Sequence, residues 1–116
     1  MTIIVAGYVD VDPARRDEAI RGGKPHIEAA RAEKGCLHYV WSADNVHPQR
    51  IYVFEEWATT EDLAAHLKAA PYFDMRDHIG KFGIRAADTK KYRIDHAEPV
   101  YDATGTPRAD FFTRKP

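Results

Sequence analysis

The chain has 116 residues, enough for one domain with one modest core. Lys and Arg number 17 against 18 Asp and Glu. No basic excess exists to neutralise phosphates or an anionic bilayer, so neither a nucleic-acid nor a membrane partner is expected. Cys36 is the only cysteine, which excludes an internal disulfide and a cysteine zinc site and fits a reducing, cytoplasmic setting.

Residues 3–11, IIVAGYVDV, are a near-continuous apolar run rich in β-branched side chains. They predict a strand covered on both faces except toward its end. The first residues lack a basic lead and a long apolar core, so no signal peptide is expected. Asp12-Pro13 opens a helix, because Asp12 can accept from the free amides of the first turn and Pro13 needs no bond there. Ile20, Gly23, Ile27 and Ala30 recur at helical spacing and predict its inner stripe. Gly22-Gly23 and Pro25 predict a kink or break inside it.

Gly35 is the expected left-handed stop. Cys36 to Ser42 reads as a strand with Leu37, Tyr39 and Trp41 on one side and Cys36, His38 and Val40 on the other. After a polar turn over 44–49, residues 51–57 form the next strand and complete an antiparallel hairpin. Its alternation sets Ile51, Val53, Glu55 and Trp57 against Tyr52, Phe54 and Glu56. Glu55 and Glu56 therefore face opposite ways and are no catalytic pair. The inward one is expected to pair with Arg50, Arg85 or Arg93.

Thr59 or Thr60 caps a short helix with Leu63, His66, Leu67 and Ala70 on one face. Pro71 ends it and starts another, in which Tyr72, Met75, Ile79 and Phe82 recur at helical spacing. Residues 89–98 read as a last strand with Tyr92, Ile94 and His96 on one side. The stretch 99–116 is rich in Pro, Gly and polar residues and reads as a tail, with Phe111 and Phe112 as docking groups. The order β-α-β-β-α-β is the α+β ferredoxin-like arrangement with an antiparallel sheet. Helices of the same chain cover one sheet face. The other carries apolar and aromatic residues and predicts a partner.

No Gly-rich dinucleotide loop, phosphate loop or nucleophile elbow is present. The six histidines are not spaced with carboxylates as metal ligands, so neither a metal nor a flavin site is expected. His66, on an apolar helix face, suits either a core histidine bonded to a carbonyl or a base in a pocket. Trp57 suits a core side chain or a pocket wall. Tyr39, His38, Tyr52, Tyr72 and His96 complete a polar-aromatic set able to receive a flat phenolic ligand. His78 is expected on the outer side of its helix.

The motifs Gly35-Cys36-Leu37-x-Tyr39, Glu55-x-Trp57, Ala64-x-His66-Leu67 and Pro71-x-Phe73 together resemble the antibiotic biosynthesis monooxygenase family, over roughly residues 1–98. The resemblance implies a homodimeric α+β barrel. It implies a cofactor-independent monooxygenase that takes a small aromatic or polyketide-like phenol or hydroquinone and O₂. His66 would be base or donor, Tyr72 and Tyr39 orienting groups, and Trp57 a pocket wall. Haem-degrading relatives carry an asparagine and a tryptophan where this chain has Gly7 and His66, which disfavours that chemistry. A proton-transfer isomerase and a non-enzymatic dimeric binding protein remain the alternatives on the same scaffold.

Overall fold

The computed structural model describes residues 1–113. Residues 114–116, counted in the tail above, lie outside the described residues. Strand β1 (Thr2–Asp10) is followed by helices α1 (Arg16–Gly22) and α2 (Lys24–Arg31), then strands β2 (Cys36–Ala43) and β3 (Arg50–Trp57). Helices α3 (Thr60–His66) and α4 (Ala70–Ile79), a 3-10 turn (Gly80–Phe82) and strand β4 (Ala86–Ile94) complete the unit. All pairings are antiparallel in the order β2-β3-β1-β4. This is the ferredoxin-like arrangement expected from the sequence, with helices on one face of the sheet.

The first helical region breaks at Gly23, between two glycines and Pro25. A Cβ at Gly23 would lie 2.8 Å from the Met75 methyl. Together with buried Ala19 and Ala30, Gly23 lets α1 and α2 approach α4 closely. Ile20 and Ile27, expected at the centre of this stripe, are only half-buried. Asp12 does not cap the helix itself. It holds a preceding turn by accepting from the Ala14 amide at 3.0 Å, and α1 starts four residues later.

The core lies between sheet and helices in two clusters. One gathers Val9, Val11, Ile51, Met75 and Phe82. The other gathers Ile3, Ala30, Tyr39, Trp57 and Leu63. Leu37, expected to point inward with Tyr39, is half exposed instead. A register irregularity between Cys36 and His38 turns it out and pairs Cys36 with Trp57.

β4 runs from Ala86 to Ile94 rather than 89–98. Its register is dictated by β1, from Asp10 opposite Ala86 to Thr2 opposite Ile94, and its own polar sequence carries little alternation. Beyond it, residues 95–113 form an arm. The Glu98 carboxylate accepts from the Phe112 and Thr113 amides, both at 3.0 Å, and from the Thr113 hydroxyl at 2.8 Å, and it pairs with His96 Nε2 at 2.9 Å. Burial alone would raise this carboxyl. The hydrogen bonds outweigh it and hold the group down to about 2. Val100, Tyr101 and Phe111 remain exposed on the arm.

Gly7, at the centre of β1, has no room for a side chain, because a Cβ there would run into the Asp88 carbonyl of β4. Gly7→Ala is expected to cost about 2 kcal/mol or more. A lowered midpoint in urea unfolding, with an unchanged slope, is the check.

Candidate functional site

Strand register decides what the helix-facing side of the sheet offers. Tyr39, Glu55, Val5 and Lys91 stand opposite one another in a single row across β2, β3, β1 and β4. Tyr39 and Glu55 sit in the covered half of that row and are buried. Above them lie Leu63 and Leu67 at the α3 end and Tyr72, Met75 and Ile79 on α4. Between floor and roof is a cavity of about 440 Å³, within the range that takes a small aromatic molecule.

Beneath the cavity wall is a buried acid–base network. Glu55 Oε1 accepts from Trp57 Nε1 at 3.0 Å. His66, only 1% exposed, bonds through Nδ1 to Glu33 Oε1 at 2.7 Å. A carboxylate accepts, so this bond keeps a hydrogen on Nδ1 and leaves Nε2 as the free nitrogen. That Nε2 is buried without a hydrogen-bond partner among the described residues and faces Glu55 Oε1 at 3.9 Å. The imidazole stacks on Trp57 with ring centres 4.5 Å apart and is edged by Tyr39 and Tyr72 at 5.6 and 5.7 Å.

Local structure explains each position. Thr59 caps α3 by accepting from the Asp62 amide at 3.0 Å. Leu63 and His66, three residues apart, then share its buried face. Glu33 is carried by the loop after α2. Gly35, at a left-handed φ of +80°, turns that loop, and its carbonyl accepts from the Ala58 amide at 2.8 Å. The loop is thereby tied to the chain just ahead of α3, and Glu33 reaches the imidazole.

Burial pushes the Glu55 carboxyl above the ordinary carboxylate range. The Trp57 hydrogen bond and His66 offset part of this, and the neighbouring Glu33 charge adds to it. Burial likewise raises the Tyr39 hydroxyl, with Glu55 adding to the effect.

The structure brings some of the residues singled out in the sequence together and separates others. His66, Trp57, Tyr39 and Tyr72 do converge. His66 and Trp57 stand behind the wall, however, whereas Tyr39 and Tyr72 line the cavity. Glu55, not among the candidates read from the sequence, joins them on the cavity wall. Its partners are Trp57 and His66, not an arginine. Its strand parity already set it inward beside Trp57, and that was the available signal. His38 and Tyr52 lie on the opposite sheet face with Phe54 and Glu56. His96 belongs to the arm, bonded to Glu98. His78, expected outside, is half-buried and bonds Ala19 O at 2.9 Å. Among the described residues no cluster of three potential metal ligands occurs, and no helix is long and apolar enough to cross a membrane.

Comparisons with known proteins agree with this architecture. The family model described as antibiotic biosynthesis monooxygenase matches residues 2–77. A conserved protein of Methanosarcina mazei superposes with a TM-score of 0.72 at 22% identity, over 80% of this chain and 92% of the other. A candidate antibiotic biosynthesis monooxygenase of Nitrosomonas europaea gives 0.71 at 20% identity, over 78% and 88%. An uncharacterised protein of a Synechocystis species is 27% identical over 98 residues, 84% of this chain and 67% of that protein.

Glu55 is held above its unfolded value, near 4.5. Its contribution to stability is therefore full below about pH 4.5 and is lost as pH rises through the raised value. Glu55→Gln keeps an acceptor for Trp57 and removes the titration. The stability of the wild type relative to Glu55→Gln is expected to fall between pH 4.5 and 8, as read by urea unfolding at each pH.

Proposed function

The chain belongs to the antibiotic biosynthesis monooxygenase family, and from that premise we propose a cofactor-independent monooxygenase that oxidises a small aromatic or polyketide-like phenol or hydroquinone to a quinone with O₂. The observation that carries this reading is a buried carboxylate, Glu55, on the wall of an otherwise largely apolar cavity and backed by an acceptor nitrogen.

In this reading the flat ring lies against Val5, Val53 and Leu63, and Tyr39 and Tyr72 orient its oxygen substituents. Glu55 takes the phenolic proton. His66 Nε2 receives it from Glu55, and Glu33 holds the far side of the ring and steadies the imidazolium. The base is thus shared: Glu55 touches substrate, and His66 acts through it. The phenolate, held against the apolar wall of the cavity, gives an electron to O₂. The radical pair joins at an unsubstituted ring carbon. The peroxide then loses water, so one oxygen stays as the quinone carbonyl and the other leaves carrying the phenolic and ring hydrogens.

A proton-transfer isomerase would use the same relay without consuming O₂. The paired Glu55 and His66 favour that second reading as well, and O₂ uptake separates the two. The functional unit in either case is a homodimer. Tyr52, Phe54 and Tyr92 lie exposed on the face away from the helices, and the apolar side chains of the arm suit the same partner. Phe54→Asp is expected to shift the protein to monomer in sedimentation. An unchanged dimer would place the interface elsewhere.

The test of the reaction is O₂ uptake by chelator-treated protein with a panel of naphthols and hydroquinones, each compared with its own autoxidation. Glu55→Gln and His66→Ala are each expected to lower turnover about 100-fold or more while remaining folded. Uptake no faster than autoxidation across the panel would sink the oxygenase reading.

A further inference from the structure

Beside that cavity, and sharing Leu63, Leu67 and Lys91 with it, is a second hollow of about 390 Å³, lined also by Ile3 and Ala64. Lys91 lines both hollows and Arg93 the second. The register explains why. Lys91 stands opposite Val5 and Arg93 opposite Ile3, so both are in line with helix-facing residues of β1.

Several cations near the sheet and its helices have a nearby acid. Arg50 bonds Asp10 at 2.9 Å, Arg76 meets Asp77 at 3.4 Å, and Lys90, one residue from Lys91, bonds Asp88 at 2.6 Å. Lys91 and Arg93 have no ion pair among the described residues. They are like charges two positions apart on one strand face, so each raises the cost of the other. Edge strands do use lysine to discourage further pairing. That role needs no second cation on the same side, and none lining an apolar hollow.

We propose that Lys91 and Arg93 form an anion subsite, and that the substrate is an aromatic acid: a flat phenolic ring bearing a carboxylate, sulfonate or phosphate on the side remote from the oxidised oxygen. The proposal rests on the reading of the cavity as the substrate site. The spacing is suitable. Glu55 and Lys91 lie in one row two strands apart, a Cα separation of roughly 9.5 Å. Both residues line the same cavity, and a lysine extended away from Glu55 widens the span between carboxylate and ammonium beyond that separation. A ring over Val5 then presents its hydroxyl to Glu55 and its acid to Lys91 and Arg93. The same charges would repel a substrate with a cationic tail.

The test is direct binding by calorimetry, which needs no turnover. 6-Hydroxy-2-naphthoic acid is compared with 2-naphthol, which has the same rings without the acid. The acid is expected to bind at least about tenfold tighter at low salt. That advantage should shrink in about 0.5 M salt and vanish in the Lys91→Gln/Arg93→Gln protein, which should keep its affinity for 2-naphthol. Equal affinities, no binding of the acid, or a preference that survives the double substitution overturns the subsite. Acid-selective binding without O₂ uptake leaves the subsite standing and removes the monooxygenase reading instead.

Discussion

A carboxylate withdrawn from water in the middle of β3 is the constraint around which the rest of the site is built. An unpaired buried charge is costly, so Glu55 requires neighbours that can donate to it or share its proton. Trp57, two residues on, supplies an indole N–H on the same strand face. His66 presents a ring nitrogen from α3, and Glu33 fixes that ring from the far side. The cap at Thr59 and the left-handed turn at Gly35 serve the same end, since each sets the height at which one partner arrives. Removing Trp57 would leave the buried Glu55 carboxylate without its N–H donor.

The two faces of the sheet divide the labour. Toward the helices, Tyr39, Glu55 and the roof of α3 and α4 enclose space for a ring. Away from them, Tyr8, Tyr52 and Phe54 present aromatic surface bordered by the Arg50–Asp10 pair, with Arg50 lying over the Tyr8 ring at 3.7 Å. Alternation along β3 separates the two surfaces one residue at a time. Tyr52 and Val53 are neighbours in the chain, yet one meets solvent and the other the core.

Much of this was legible in the sequence, because the signals were local. Residues 51–57 alternate, so parity gave the correct side for Val53, Glu55 and Trp57. Gly22-Gly23 and Pro25 marked the break between α1 and α2. Leu63 and His66 at i, i+3 declared the inner face of a short helix. The errors arose where a distant segment decides. A single irregularity between Cys36 and His38 turned Leu37 outward. β4 takes its limits from β1. His96 was grouped with the polar-aromatic set, but the strand ends before it and Glu98 claims it. The partners of Glu55 were hidden because an arginine is the commonest partner for an inward carboxylate. A tryptophan and a histidine filling that place become visible only once α3 is folded onto the sheet.

The stack between Trp57 and His66 has a consequence for observation. The chain holds two tryptophans, and one of them lies face to face with the imidazole, its own N–H on the carboxylate. An indole in van der Waals contact with a proton-carrying ring changes its emission when that ring gains charge. Trp57 is therefore an intrinsic optical reporter on the packing around His66, and a change in that contact can be followed by light without any label.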